Sequence, residues 1–166
     1  MEVQNIRDFL LALPSPPLIT ESIHSYSQLW LYPYGYAEDT FPPNVAEHRQ
    51  LAQLAVDTLL TVHGTEFIAE NEADLYIASG TAMDWFCRDL GATYCFTTEL
   101  RDTGMSLVSC LIRCSICDGY KTPPMTVVIP GNYGFLLPKD QIYASGEEFT
   151  EAMVTVIKSA MAKQTN

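Results

Sequence analysis

The sequence predicts an α/β sandwich, a sheet layered with helices, and three observations carry that expectation. Two stretches rich in β-branched and aromatic residues, LITESIHSY and ATYCFTTEL, read as strands. Two others, NVAEHRQLAQLAVDTLLTVHG and the closing SGEEFTEAMVTVIKSAMAKQ, repeat apolar residues at helical spacing. Helices and strands alternate along the chain, the order that builds layered α/β folds. With 166 residues, 48% of them apolar and 17% charged, the chain has the length of one domain and enough apolar surface to fold.

Each element has its own signal. EVQNIRDFLLAL places Val3, Ile6, Phe9, Leu10 and Leu13 at helical spacing, and LPSPP stops that helix because proline cannot continue the hydrogen-bond ladder. LITESIHSY then runs as a strand ending near His24, with YPYGY as punctuation. In the long helix Val45, Leu51, Leu54, Ala55, Thr58 and Leu59 lie near one face, and Gly64 stands where a left-handed cap belongs. DLYIASGTAMDWFCRDLG reads as a glycine turn leading into a short helix stopped at Gly91. The strand ATYCFTTEL carries Glu99 near its end, and GFLLP reads as a short buried segment. Ser145 and Glu148 have the spacing of a capping box at the start of the closing helix.

Charge excludes several classes of partner. Twenty acidic against nine basic side chains leave a net charge of −11, so nucleic acid and anionic membrane surfaces lack the Lys and Arg clusters they need. No apolar run approaches the roughly 20 residues that span a bilayer. FLLAL near the N-terminus is flanked by Glu2 and Asp8 without a basic segment before it, so it reads as helix and not as a signal peptide. Five cysteines are an odd number, which excludes a complete internal disulfide framework.

Four motifs, IHSYSQLWLYPYGY, LYIASGTAMDW, FTTELRDTG and YGFLLP, occur in this order. Together they make the chain resemble the zinc carboxypeptidases of the carboxypeptidase A/B type, from EVQNIRDF to the closing helix. Any one of them alone would be weak. The resemblance implies a mixed, mostly parallel sheet flanked by helices on both faces. Residues 1–166 would form the C-terminal part of that fold, a single partial peptidase domain. It also implies a zinc cofactor, peptide or protein C-termini as substrates, release of one C-terminal residue, and an exported protein. By the same resemblance His24 is a zinc ligand, Glu99 the general base, and Tyr76 the residue that closes over substrate. Ser25, Tyr26 and Phe135 line substrate subsites, and Met83 lies at the base of the specificity pocket. An apolar, adaptable methionine there favours aromatic or aliphatic C-terminal residues.

The chain also departs from that pattern. The family's His-x-x-Glu zinc pair and its substrate-gripping arginines belong upstream of EVQNIRDF. A single histidine cannot hold zinc, which takes three or four protein ligands, so these residues alone are expected to be inactive. The competing reading is a non-catalytic isoform or pseudoenzyme that at most binds peptides. His63 and Glu66, in HGTE, have the His-x-x-Glu spacing but follow His24 and sit at a helix end, a weak match. Residues 105–132 separate two motifs that adjoin in the family and read as a foreign insertion. Its Cys110, Cys114 and Cys117 have a spacing known from iron–sulfur proteins but lack any supporting context. For Glu99 the bland reading is a structural ion pair with the nearby Arg101, and for Tyr76 it is simple packing.

Overall fold

The computed structural model describes residues 1–103 and 133–164, together with the backbone of residues 107–108 and 127–128. Four strands, β1 (Ile19–Ser25), β2 (Leu29–Tyr32), β3 (Ile68–Asn71) and β4 (Tyr94–Leu100), form one sheet in the order β1-β4-β2-β3. β1 runs parallel to β4 and β2 parallel to β3, while β2 and β4 are antiparallel, so the sheet is mixed and mostly parallel. The helices are α1 (Glu2–Leu11), α2 (Val45–His63), α3 (Glu72–Leu75), α4 (Ala82–Arg88) and α5 (Gln141–Gln164).

Both faces of the sheet are covered, and β2 shows why. Its side chains alternate, so Trp30 and Tyr32 join Phe96 beneath α2 and α5, packing against Leu51, Ala55, Leu59, Ala152, Val156 and Ala160. Leu29 and Leu31 face the other way, onto Met83 of α4 together with Ala92 and Cys95. A strand buried on both faces has no polar alternation, which hid LWLY among its neighbouring aromatic residues. β3 was missed for a different reason, because IAEN is short and half polar.

The α2 face is shifted slightly from the one its spacing suggested. His48, Leu51, Ala52, Ala55, Val56 and Leu59 are buried, while Val45, Leu54 and Thr58 are only partly so. Gly64 caps α2 with φ +75°, as expected of a residue without Cβ strain. α1 ends at Leu11, leaving Leu13 beyond it, and buries none of its side chains.

Three expectations need correcting. α5 begins at Gln141, so Ser145 lies inside the helix and forms no capping box; proline at 138 and the turn after it start the helix earlier. GFLLP is not a buried segment: Gly134–Leu136 form a 3₁₀ turn in which Gly134 is buried but Phe135 and Leu136 are exposed. Arg101 pairs with Glu148 of α5, not with Glu99, and also donates to Gln141 Oε1 at 2.6 Å and Thr65 Oγ1 at 2.8 Å. Of residues 105–132, expected from the sequence to be an insertion, only two short paired strands, β5 (Leu107–Val108) and β6 (Val127–Val128), are described; Cys110, Cys114 and Cys117 lie outside the described residues.

Glu21 of β1 shows the cost of a carboxyl on this sheet. It receives a 2.7 Å hydrogen bond from the Thr98 hydroxyl, but its second oxygen is enclosed without a partner. Burial pushes its carboxyl up from 4.5 to about 8, with the Thr98 bond opposing. The folded protein therefore keeps a proton that the unfolded chain releases near 4.5. Its contribution to stability is full below that value and is lost as pH rises toward 8. Glu21→Gln is expected to flatten this dependence and to stabilise the fold above pH 8 by about 1–2 kcal/mol. Urea midpoints at acid and alkaline pH check it, and an unchanged slope with pH would contradict it.

Candidate functional site

The C-terminal ends of β1 and β4 meet in register, which sets His24 directly beside Glu99. His24 Nδ1 lies 3.8 Å from Glu99 Oε1, and its other nitrogen, Nε2, is 2.9 Å from the Ser22 hydroxyl. The two side chains differ in environment: His24 is 54% exposed and Glu99 12%. Burial raises the Glu99 carboxyl above the ordinary carboxylate range, with the neighbouring His24 pulling it back. A half-exposed imidazole beside a sheltered carboxylate can bind a cation and exchange a proton.

Ser25 ends β1 in an exposed position, and Tyr26 follows it. Tyr26 packs edge-on against Phe135 with ring centroids 4.8 Å apart. That contact exists because Asp102, just past β4, accepts hydrogen bonds from the backbone amides of Tyr133 and Gly134. Gly134 has φ +56°, and a Cβ there would come within 2.9 Å of the Tyr26 ring, so the turn requires glycine. Tyr76 follows α3 and is largely exposed. Met83 is fully buried on the sheet face that Thr97 shares, with the Thr97 hydroxyl 3.7 Å from its sulfur. The structure thus brings His24 to Glu99 and Tyr26 to Phe135. Tyr76 and Met83 belong to the segment running from α3 into α4.

Two acidic residues in that segment escaped the sequence reading. The Glu72 carboxylate lies against Gly35, so close that a Cβ on Gly35 would meet Glu72 Cδ at 2.7 Å. It accepts a hydrogen bond from the Thr81 hydroxyl at 3.3 Å. Asp84 accepts the Gly35 amide at 3.0 Å, and its own amide donates to Thr81 Oγ1 at 3.3 Å. Burial first, then the nearby Asp84, raises Glu72 from 4.5 to about 7; Glu99 adds to that and the Thr81 bond opposes it. ENEADL looks like a solvated acidic run, and nothing local marks Glu72 as buried; β3 passing straight into α3 turns it inward. Beside this segment a cavity of about 840 Å³ is bounded by α1, β1 and α4, with Ser22, Thr81 and Asp84 in its wall.

Among the described residues metal-ligating capacity is limited. His63 Nε2 lies 2.9 Å from Glu147 Oε2 on α5, and the Glu66 backbone carbonyl accepts a hydrogen bond from Gln28; neither HGTE residue belongs to a group of three ligand atoms close enough for one ion among the described residues. Among the described residues one trio of ligand atoms lies close enough for a single ion, His48 with Cys87 and Cys95, and there the cysteines are joined as a disulfide. His48 sits within hydrogen-bond reach of the Asn44 carbonyl through Nδ1 and accepts the Cys95 amide at Nε2, 3.2 Å away. Burial lowers its pKa, so it serves as a neutral core residue. His24 fits the part of one zinc ligand: Ser22 orients one ring nitrogen and leaves the other facing Glu99. His24 and Glu99 together fall short of the three or four protein ligands that zinc requires.

A family model described as zinc carboxypeptidase, Peptidase M14, matches residues 1–152. The chain belongs to the zinc carboxypeptidase family. It is 36% identical to carboxypeptidase B of Astacus astacus over 157 residues, 94% of this chain and 43% of that protein. It is 38% identical to carboxypeptidase A1 of Rattus norvegicus over 158 residues, 95% of this chain and 30% of that protein. Among solved structures it resembles bovine thrombin-activatable fibrinolysis inhibitor in complex with tick carboxypeptidase inhibitor. That match has TM-score 0.77 and 27% identity, and covers 98% of this chain and 46% of the other. The chain therefore spans less than half the length of the relatives it matches. The mixed sheet with helices on both faces is the fold of these carboxypeptidases. Among the described residues no helix is long and apolar enough to cross a membrane.

Proposed function

We propose that these residues form the C-terminal share of a metallocarboxypeptidase catalytic domain that removes one residue from peptide or protein C-termini. The juxtaposition of His24 and Glu99 at the adjoining ends of two parallel strands is the observation that carries this reading. His24 is one zinc ligand; in such an enzyme the remaining ligands come from residues beyond these 166. Zinc, when bound, polarises the peptide carbonyl and lowers the pKa of a coordinated water to about 7. Glu99 takes the proton released as the carbonyl is attacked and delivers it to the leaving amine, a task suited to a carboxyl raised by burial. Tyr76, exposed after α3, closes over the substrate. Ser25, Tyr26 and Phe135 line the subsites, the two rings holding each other in place. Met83 forms the apolar floor of the specificity pocket, which favours aromatic and aliphatic C-terminal residues. Residues 105–132 are an addition to this domain. The Cys87–Cys95 disulfide supports an oxidising, extracellular setting.

Zinc content and hydrolysis of a blocked peptide ending in Phe, measured on the full polypeptide, test the proposal. One zinc per chain, cleavage abolished by chelator, and loss of both metal and cleavage in His24→Ala are the expected results. Absence of zinc and of cleavage in the unaltered protein would leave the non-catalytic, peptide-binding reading.

A further inference from the structure

His48, Cys87 and Cys95 come together from three elements, away from His24 and Glu99. His48 lies on α2 and is fully buried, Cys87 lies near the end of α4 and is partly buried, and Cys95 is the second residue of β4 and fully buried. One nitrogen and two sulfurs, the potential ligand atoms, all lie within 4.8 Å of one another. The histidine is already oriented as a ligand. Its Nδ1 lies 3.3 Å from the Asn44 carbonyl, and a carbonyl only accepts, so the ring proton belongs on Nδ1. A backbone carbonyl behind the ring is how ligating histidines have their tautomer fixed. Nε2 keeps its lone pair, accepts the Cys95 amide at 3.2 Å and lies 3.7 Å from Cys87 Sγ. Tetrahedral zinc, with bonds of about 2.3 Å to sulfur and about 2.0 Å to nitrogen, separates such atoms by about 3.5 Å. The two cysteines also stay adjacent without their bond. Backbone hydrogen bonds hold the return from α4 to β4, from Leu90 to Trp85 at 3.0 Å and from Ala92 to Phe86 at 2.9 Å, and β4 is fixed between β1 and β2.

We propose that Cys87, Cys95 and His48 form a redox-gated site for a soft divalent metal ion such as zinc, separate from the site of His24. A dithiol reductant opens it. One of its thiolates attacks a sulfur, the Cys87–Cys95 bond breaks, and its second thiol resolves the mixed disulfide. The reductant leaves as its own disulfide, having supplied two electrons and two protons, and Cys87 and Cys95 become thiols. The ion displaces those two protons and binds both thiolates, while Nε2 exchanges the Cys95 amide for the metal with no proton change on His48. Two thiolates and an imidazole select zinc over magnesium or calcium. Cys87 is only partly buried, so water can reach that side and supply the fourth ligand. Oxidation re-forms the disulfide and expels the ion, so the disulfide belongs to an oxidising setting and the metal to a reducing one. This site is independent of the carboxypeptidase reading.

The experiment titrates cobalt(II) into the full polypeptide before and after reduction with dithiothreitol, which is then removed under argon. Thiolate ligation of cobalt gives a charge-transfer band in the near ultraviolet. Reduction is expected to add one equivalent of cobalt with that band, and the band should persist when Cys110, Cys114 and Cys117 are all replaced by serine. Cys87→Ser should weaken that binding by at least about 100-fold, since loss of a ligand costs more than loss of its supporting contacts. A band equal before and after reduction, absent after it, lost with the three serines or unchanged in Cys87→Ser overturns the proposal. If a variant does not fold, alkylation of the unaltered, reduced protein decides. Zinc should abolish labelling of Cys87 by iodoacetamide and a chelator should restore it, whereas equal labelling with and without zinc sinks the idea.

Discussion

Glu148→Ala is expected to destabilise the fold by about 3–5 kcal/mol, a large share of a typical domain's margin. The Glu148 side chain is 1% exposed and its partner Arg101 13%, so truncating the acid strands a sheltered guanidinium in a low-dielectric setting. The pair does not stand alone. Glu148 also accepts from the Thr65 hydroxyl at 2.6 Å, and Arg101 reaches Gln141 and Thr65. This cluster ties α5 to the end of β4 and to the turn after α2. Its loss should loosen the end of β4 that also holds Glu99. Urea denaturation measures the effect, and a double-mutant cycle with Arg101→Ala isolates the pair. A loss below about 1 kcal/mol would show that the pair behaves like an exposed one.

Glu99→Gln is expected to cost about 10²- to 10⁴-fold in kcat/KM with the metal retained. The amide preserves size but cannot take up a proton. Zinc content and circular dichroism should stay as in the unaltered protein, since Glu99 lies beside the proposed ligand and is not one. The acid limb of the pH–rate profile reports the same group. Because burial raises the Glu99 carboxyl, with His24 opposing, the acid limb should lie at higher pH than that of an ordinary carboxylate. Zinc lost together with activity would instead make Glu99 part of the metal site.

Local pattern accounts for much of this. β1 and β4 were legible because β-branched and aromatic residues mark strands, and α2 because a long run of apolar residues at helical spacing has no other stable use. Four ordered motifs pointed to the family, and the family match followed. β2 was not legible, since burial on both faces erases the period that announces a strand. Nor was the start of α5, because the Ser145–Glu148 spacing mimics a cap while Glu148 is bound to a residue 47 positions away.

By itself, then, the sequence determined the class of fold, the family, and the candidacy of His24 and Glu99, because each rests on residues close in sequence. Their adjacency came only with the pairing of β1 and β4, which brings together positions 75 residues apart in the chain. The diversion of Arg101 from Glu99 to Glu148 and the burial of Glu72 were likewise decided by packing. Charge pairing and desolvation depend on which distant elements meet, and no local pattern encodes that.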